Sequence, residues 1–97
     1  MIDRDQRSLT LRALQAMILQ MYGAKDAARG DAATFLWLTE EFGELATALN
    51  GEDRANMEEE FADVLAWLCT LANINDIDLT AAIGRKYLGE DSPQGHK

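Results

Sequence analysis

The chain carries a single proline, Pro93, and it lies close to the C-terminus. Because proline is the residue that most strongly interrupts a helix, nearly the whole chain before it is free to be helical. No stretch alternates apolar and polar residues in the way that a half-buried β-strand does. The sequence therefore predicts an all-α fold.

Apolar residues at helical spacing, together with capping residues, divide the chain into about four helices that we expect to form an antiparallel bundle. A polar, glycine-containing stretch from Lys25 to Ala33 is predicted to link the first two helices. The helices are predicted to run from about Ser8 to Gly23, Thr34 to Leu49, Arg54 to Asn73 and Asp78 to Leu88.

Ninety-seven residues suit one domain, which we expect to span 1–97 with an ordered core over about 8–88. Residues 89–97 contain nothing to bury, and we expect this tail to be mobile.

Nine Lys and Arg residues against seventeen Asp and Glu residues give a net charge of −8, which would repel a nucleic-acid backbone. The single cysteine, Cys69, lies in an apolar run, cannot form an intrachain disulfide and suits a reducing compartment. No stretch approaches the ~20 apolar residues of a membrane span. We therefore expect a cytoplasmic protein that binds neither nucleic acid nor membrane.

The two central helices are rich in acidic residues. Acidic side chains on helices usually form a solvated face, so their geometry must decide whether they form a site. The acidic residues are Glu40, Glu41 and Glu44 in the first of these helices, and Glu58, Glu59, Glu60 and Asp63 in the second.

The short connection from Asn50 to Asp53 makes these two helices antiparallel neighbours. At about 100° per residue, an acidic pair on each helix flanks the apolar stripe on the same rotational side. Reflection about the loop places Glu41 opposite Asp63, and Glu44 opposite Glu60. The sequence predicts two layers of facing carboxylates, separated by about 4.5 Å of helix rise.

Four carboxylates held this close repel one another unless a counter-charge is present. A hard divalent cation suits an all-oxygen ligand set, and Mg²⁺ is the expected ion, with Mn²⁺ as the alternative. A di-iron bundle would need Glu-x-x-His motifs. The only histidine, His96, lies in the tail, which argues against that type of site.

Trp37 and Trp67 lie one helical turn beyond the acidic residues, on matching stripes. They could form the wall of a pocket in which a nucleobase stacks, worth ~1–3 kcal/mol per base. The alternative is that they pack in the core or in a dimer interface.

The acidic pattern resembles the EExxE and ExxD signature of MazG-type nucleotide pyrophosphohydrolases. It is formed by Glu40, Glu41 and Glu44, followed by Glu60 and Asp63. The resemblance extends over roughly 9–88. It includes Leu38-Thr-Glu-Glu-Phe-Gly-Glu-Leu45, Asp63-Val-Leu-Ala-Trp-Leu68, Ala72-Asn73, Ile77-Asp78-Leu79 and Lys86.

The resemblance implies an all-α enzyme, active as a dimer or tetramer, that hydrolyses nucleoside triphosphates to monophosphates and pyrophosphate. It implies a role in removing unwanted nucleotides. It also implies that Mg²⁺ is held by Glu41, Glu44, Glu60 and Asp63.

A carboxylate must also orient the attacking water, and Glu40 is the candidate because it lies one residue from the metal-facing side of its helix. Lys86 resembles a lysine that the family uses near substrate phosphates, and Asn73 resembles a polar substrate contact. The alternative for Lys86 is that it is a solvated helix residue. Asp76 departs from the pattern, since many relatives have glycine there.

The first helix has an apolar face, extended by Met17 and Met21, that a chain of this size cannot easily cover alone. We expect a homodimer or homotetramer. Two other functions stay open: hydrolysis of phosphoribosyl-ATP, since that branch shares the acidic signature, and a non-catalytic helical interaction module with an acidic face.

Overall fold

The computed structural model describes residues 6–89, and all regular structure in this range is helical. The predicted all-α class is confirmed. The tail over 89–97 that was predicted to be mobile lies, except for Gly89, outside the described residues. One 3-10 turn, Gln6–Ser8, is followed by the helices α1 (Leu11–Leu49), α2 (Arg54–Ile74) and α3 (Leu79–Tyr87).

Helix α1 joins the first two predicted helices, so the described residues contain three α-helices instead of about four. The predicted linker over 25–33 is wrong, because Lys, Asp, Ala and Arg all tolerate a helix and the chain stays helical up to residue 29. Only Gly30, with φ 80° and ψ 176°, departs from helical geometry. This kink divides α1 into an N-terminal arm (11–29) and a C-terminal arm (31–49).

Each α-helix begins at a side chain that accepts a hydrogen bond from the backbone N–H three residues on, which satisfies one of the free N–H groups of the first turn. The capping residues are Thr10 for α1, Asp53 for α2 and Asp78 for α3. The predicted start near Ser8 is therefore two residues early, since Ser8 belongs to the 3-10 turn.

A tight turn joins the C-terminal arm of α1 to α2. Asn50 ends α1, and its side-chain amide donates to the carbonyl of Ala46 at 2.9 Å. The backbone N–H of Gly51 donates to the carbonyl of Ala48 at 3.1 Å. The turn folds the two helices into the antiparallel hairpin that carries the acidic residues.

The N-terminal arm of α1 holds the turn between α2 and α3 in place. The side-chain amide of Gln15, which is 9% exposed, donates to Asn73 Oδ1 at 3.0 Å and to the carbonyl of Ile77 at 2.6 Å. Its oxygen accepts from the backbone N–H of Leu79 at 3.0 Å. One glutamine thus ties both ends of the turn to the first helix.

The buried apolar core of the described residues is small. Cys69 is fully buried, and burial raises the pKa of its thiol, so it behaves as a small apolar side chain. No helix within 6–89 combines the length and the apolar character needed to cross a bilayer. The buried apolar residues are Ile18, Leu38, Ala48, Cys69 and Ala72.

Asp76, in the turn after α2, has φ 54°, a left-handed conformation that costs an L-residue energy that glycine does not lose. We expect Asp76→Gly to raise the free energy of unfolding by about 0.5–1 kcal/mol, measured by urea denaturation. Asp76→Ala removes the same charge but keeps the strain, and it should destabilise the protein. Equal effects of the two substitutions would contradict this explanation.

Candidate metal centre

Three carboxylates meet across the hairpin. Glu41 projects from the C-terminal arm of α1, while Glu60 and Asp63 lie three residues apart on one face of α2. One oxygen from each of the three lies within 4.8 Å of the others. The rotation of about 100° per residue predicts that these residues face each other across the two helices, and the structure brings them together.

Glu44 adds a fourth carboxylate. It lies one turn beyond Glu41 on α1 and is itself exposed. It is near enough to both Glu41 and Glu60 for its negative charge to raise the pKa of each. The two acidic layers thus act as one electrostatic cluster.

Repulsion and burial disfavour the ionised form of the cluster. Burial, followed by the charge of Glu44, raises the pKa of Glu41 from 4.5 to about 7, with contributions from Asp63 and Glu60. Burial, followed by the charges of Glu44 and Asp63, also raises the pKa of Glu60. Ionising these two groups therefore costs free energy.

The cluster has the properties of a cation site. Glu41 Oε2 and Glu60 Oε2 are both buried, and neither accepts a hydrogen bond. No ion pair of the described residues reaches these carboxylates, since the pairs there join Arg12 to Asp78 and Arg29 to Asp26. An all-oxygen donor set with unused buried lone pairs fits a hard divalent cation.

Glu40 occupies a different side of the helix. It is exposed, and its position one residue before Glu41 turns it about 100° away from that residue. It is not one of the three residues whose oxygens converge. Its carboxylate therefore borders the cluster without belonging to it.

The two tryptophans stack on each other beside the acidic cluster. The ring centroids of Trp37 and Trp67 are 6.2 Å apart, with 12° between the ring planes. Trp37 lies four residues before Glu41, and Trp67 lies four residues after Asp63, so the stack is about one helical turn from the carboxylates. Trp37 is 48% exposed, so the stack lies at the surface.

A buried polar network supports Trp67 from the kink in α1, and sequence analysis missed it. The guanidinium of Arg29 lies over the Trp67 ring, 5.1 Å from its centroid. Arg29 Nη1 also donates to Asp26 Oδ1 at 2.9 Å and to Thr34 Oγ1 at 3.4 Å. Thr70 Oγ1 donates to Asp26 Oδ2 at 3.1 Å.

The signal for this network was the spacing of Asp26 and Arg29, which is three residues and typical of an ion pair on one face of a helix. A prediction that places 25–33 in a linker does not put these two residues on one helix face.

A cavity of about 290 Å³ opens between the N-terminal arm of α1 and the second half of α2. Trp67 and Tyr22 supply aromatic surface, and Lys25 and Arg29 supply positive charge. The lining residues are Tyr22, Lys25, Asp26, Arg29, Ala66, Trp67 and Thr70.

Asn73 and Lys86, the other predicted substrate contacts, have local partners. Asn73 Oδ1 accepts from Gln15, and Asn73 Nδ2 donates to the carbonyl of Gln15 at 3.2 Å. Lys86 Nζ lies 5.4 Å from the ring centroid of Tyr87. Ten residues of helix, about 15 Å, separate Asn73 from Asp63. Neither residue is part of the convergent cluster.

Comparison with known proteins gives one family match. The family model described as "MazG nucleotide pyrophosphohydrolase domain" matches residues 29–87, which is more than half of the chain. That range covers the kink, the acidic hairpin, both tryptophans and all of α3. No curated protein matches the chain.

Proposed function

The chain belongs to the MazG nucleotide pyrophosphohydrolase family, and from this premise we propose that it is an Mg²⁺-dependent enzyme that hydrolyses nucleoside triphosphates to monophosphates and pyrophosphate. The observation that carries the proposal is the cluster of Glu41, Glu60 and Asp63, which contains two buried carboxylate oxygens without a hydrogen-bond partner. Removal of unwanted nucleotides is the cellular role that we propose for this reaction.

Glu41, Glu60 and Asp63 would hold the cation, with Glu44 as a fourth carboxylate. When bound, Mg²⁺ supplies positive charge that stabilises the leaving pyrophosphate and makes a water more acidic. Mn²⁺ could take the same oxygen ligands. The acidic residues contribute fixed positions, since both helices are tied together by the tight turn at Asn50.

Glu40 is the proposed general base. Its exposed carboxylate borders the cluster, where it can orient a water and accept its proton as the oxygen attacks phosphorus. The phosphorus that the water attacks then loses its bond to the oxygen that joins it to the pyrophosphate group, and pyrophosphate leaves. Replacing Glu40 would therefore slow turnover while leaving the cation ligands in place.

The substrate contacts that we propose are Trp37 and Trp67 for the nucleobase, with Lys86 and Asn73 as further contacts. The stacked rings next to the acidic cluster support the first pair. The second pair rests on resemblance to the family.

The test of the proposed function is pyrophosphate release from a panel of canonical and modified nucleoside triphosphates, measured with Mg²⁺ and with EDTA. Release that depends on Mg²⁺ is the expected result. Absence of release from every triphosphate by the folded protein would overturn the proposal and leave two alternatives, hydrolysis of phosphoribosyl-ATP and the non-catalytic interaction module.

The pKa of Glu41 leads to a pH dependence for the metal-free protein. Because its pKa is raised from 4.5 to about 7 in the folded state, the folded protein holds a proton that the unfolded chain has already lost between these values. The free energy of unfolding should therefore fall as the pH rises from about 4.5 to 7.

We expect a lower thermal midpoint in EDTA at pH 7.5 than at pH 5, and we expect Mg²⁺ to raise the midpoint at pH 7.5. Mg²⁺ should have less effect at pH 5, because protons compete for the same oxygens. A midpoint in EDTA that rises between pH 5 and 7 would contradict this account of the cluster.

A second copy of the chain is the proposed partner for the apolar surface. Phe35, Phe42 and Leu49 recur every seven residues along α1 and are each more than half exposed. On α2, Phe61 is 54% exposed and Leu68 is 43% exposed. An apolar surface of this extent on a small chain marks an interaction face. Sedimentation should show a dimer or tetramer, and a monomer at micromolar concentration would contradict the proposal.

A further inference from the structure

We infer that Arg29, held in place by Asp26, is a positioning residue that fixes the ring of Trp67 in its stack with Trp37 and so sets how tightly the triphosphate binds. The inference rests on the proposed function, since it takes the stacked rings as a substrate contact. The contacts of Arg29 and Asp26 described above lie at the kink and at Trp67, and none of them joins these residues to the acidic cluster.

The orientation of the two indoles does not come from hydrogen bonds within residues 6–89. In this range neither Trp37 nor Trp67 has a hydrogen-bond acceptor for its ring N–H. A tryptophan side chain that is only partly buried on a helix has more than one staggered rotamer open to it. What lies against the ring of Trp67 therefore decides which orientation it takes.

The guanidinium of Arg29 is the charged group that lies against this ring, 5.1 Å from its centroid. A cation over an indole favours that arrangement by about two- to thirtyfold in population, and the larger values belong to cations removed from water. The side chain of Arg29 is only 18% exposed, which places the contact towards the upper end of this range. Arg29 can therefore hold Trp67 in one orientation.

Asp26 keeps the guanidinium over the ring. Its Oδ1 accepts from Arg29 Nη1 at 2.9 Å, and its Oδ2 accepts from Thr70 Oγ1 at 3.1 Å. Thr70 lies three residues after Trp67, on the same face of α2. One carboxylate thus joins Arg29 to the helix that carries the ring, so the cation and the ring keep their separation.

Asp26 is not itself placed to contact a substrate. Its side chain is 5% exposed, both of its oxygens already accept hydrogen bonds, and its negative charge would repel a triphosphate. An effect of Asp26 on substrate binding must therefore pass through its neighbours. Arg29 differs, because guanidinium N–H groups other than those of Nη1 are left for a ligand. Direct contact between Arg29 and the triphosphate is the alternative that the experiment must separate.

The orientation of Trp67 matters because the ring lies next to the acidic cluster. Trp67 follows Asp63 by four residues, which is about 6 Å of helix rise. A ring that leaves the stack takes aromatic surface away from this position, while the carboxylates stay where they are. The expected consequence is weaker binding of the triphosphate, with a raised KM and an unchanged kcat.

The first measurement is ¹⁹F NMR of the full chain labelled with 5-fluorotryptophan, in EDTA and without nucleotide. The chain has two tryptophans and should give two resonances, of which Trp37→Phe identifies one by its loss. Arg29→Met should broaden or split the resonance of Trp67, because the ring then samples a second rotamer. Arg29→Lys keeps a cation at this position and should restore a single narrow resonance.

The second measurement is the kinetics of the triphosphate that the unmodified chain hydrolyses fastest. Arg29→Met should raise KM about five- to tenfold and change kcat less than about twofold. Asp26→Asn keeps the shape of the side chain, and it should raise KM in the same direction. Mg²⁺ binding by calorimetry should stay unchanged in both variants. Arg54→Met, which removes an exposed cation at the start of α2, is the matched control and should change none of these values.

A double-mutant cycle shows whether Arg29 acts through the ring. Trp67→Leu should itself raise KM, and adding Arg29→Met should then raise KM less than about twofold further, because the ring that Arg29 positions is gone. A residue that contacts the triphosphate directly would instead give effects that multiply.

An unchanged Trp67 resonance in Arg29→Met would overturn the inference. Independent effects of Arg29→Met and Trp67→Leu on KM would also overturn it, since Arg29 would then contact the triphosphate itself. The NMR measurement needs no turnover, so the two proposals can fail separately. A split Trp67 resonance without release from any triphosphate would support the positioning of the ring and overturn the proposed function. Mg²⁺-dependent release with an unchanged resonance would overturn only the role of Arg29.

Discussion

Glu41→Gln should lower Mg²⁺-dependent pyrophosphate release at least about 100-fold and should also stabilise the metal-free protein at neutral pH. Activity falls because the substitution removes one of three carboxylates whose oxygens lie within 4.8 Å of one another. Stability rises because a neutral amide replaces a group whose pKa is raised to about 7 by burial and by Glu44. A loss of activity together with a gain in stability is typical of a site whose function requires like charges to be held close together.

The measurements are pyrophosphate release, Mg²⁺ binding by calorimetry, and the thermal midpoint in EDTA at pH 7.5. Relief of about 1 kcal/mol would raise the midpoint by roughly 4–8 °C in a domain of this size. Glu52→Gln, an exposed acid in the hairpin turn, is the control and should change none of the three. A metal-free midpoint well below that of the unmodified protein would count against this placement of the site.

Asp26→Ala should destabilise the protein by about 3 kcal/mol. Asp26 is 4% exposed, and its carboxylate accepts hydrogen bonds from Arg29 at 2.9 Å and from Thr70 at 3.1 Å. The substitution leaves a largely buried guanidinium without its counter-charge and a buried hydroxyl without its acceptor. Urea denaturation measures the loss.

A double-mutant cycle separates the ion pair from the packing of the side chains. Arg29→Met removes the charge that Asp26 compensates, so the double variant should be less destabilised than the sum of the two single variants. Tryptophan fluorescence should change in both single variants, because Arg29 lies over the Trp67 ring. A loss below 0.5 kcal/mol for Asp26→Ala would show that the network contributes little to the fold.

The convergence of the carboxylates could be predicted because it depends on local rules. The tight turn after Asn50 sets the register of the two helices, and the rotation of about 100° per residue then determines which side chains face each other. The register and the rotation can both be calculated from the sequence positions of Glu41, Glu60 and Asp63 relative to that turn. The stack of Trp37 on Trp67 follows from the same register.

The path of the chain around Gly30 could not be predicted in the same way. A polar stretch that contains glycine is typical of a loop, yet residues 25–29 are also good helix formers. Which state forms depends on the burial of Asp26 against Thr70, a contact between residues 44 positions apart. Single-sequence patterns do not contain that information.

The role of Asn73 illustrates a second limit of local rules. Its place on α2 is correct in the prediction, but the hydrogen bonds to Gln15 come from the N-terminal arm of α1. They form only because the kink directs that arm across the end of α2. A polar side chain near a predicted site can equally well be a structural contact.

The kink at Gly30 also determines how the chain can vary in length. Arg29 contacts Asp26 before the kink and Thr34 after it, so the two arms are held in one rotational relationship. Each inserted or deleted residue would rotate one arm by about 100° relative to the other. Lys25 and Arg29 would then turn away from Trp67, while the acidic hairpin would remain intact. Between Asp26 and Thr34, the number of residues is therefore a stricter requirement than the identity of those at 31–33.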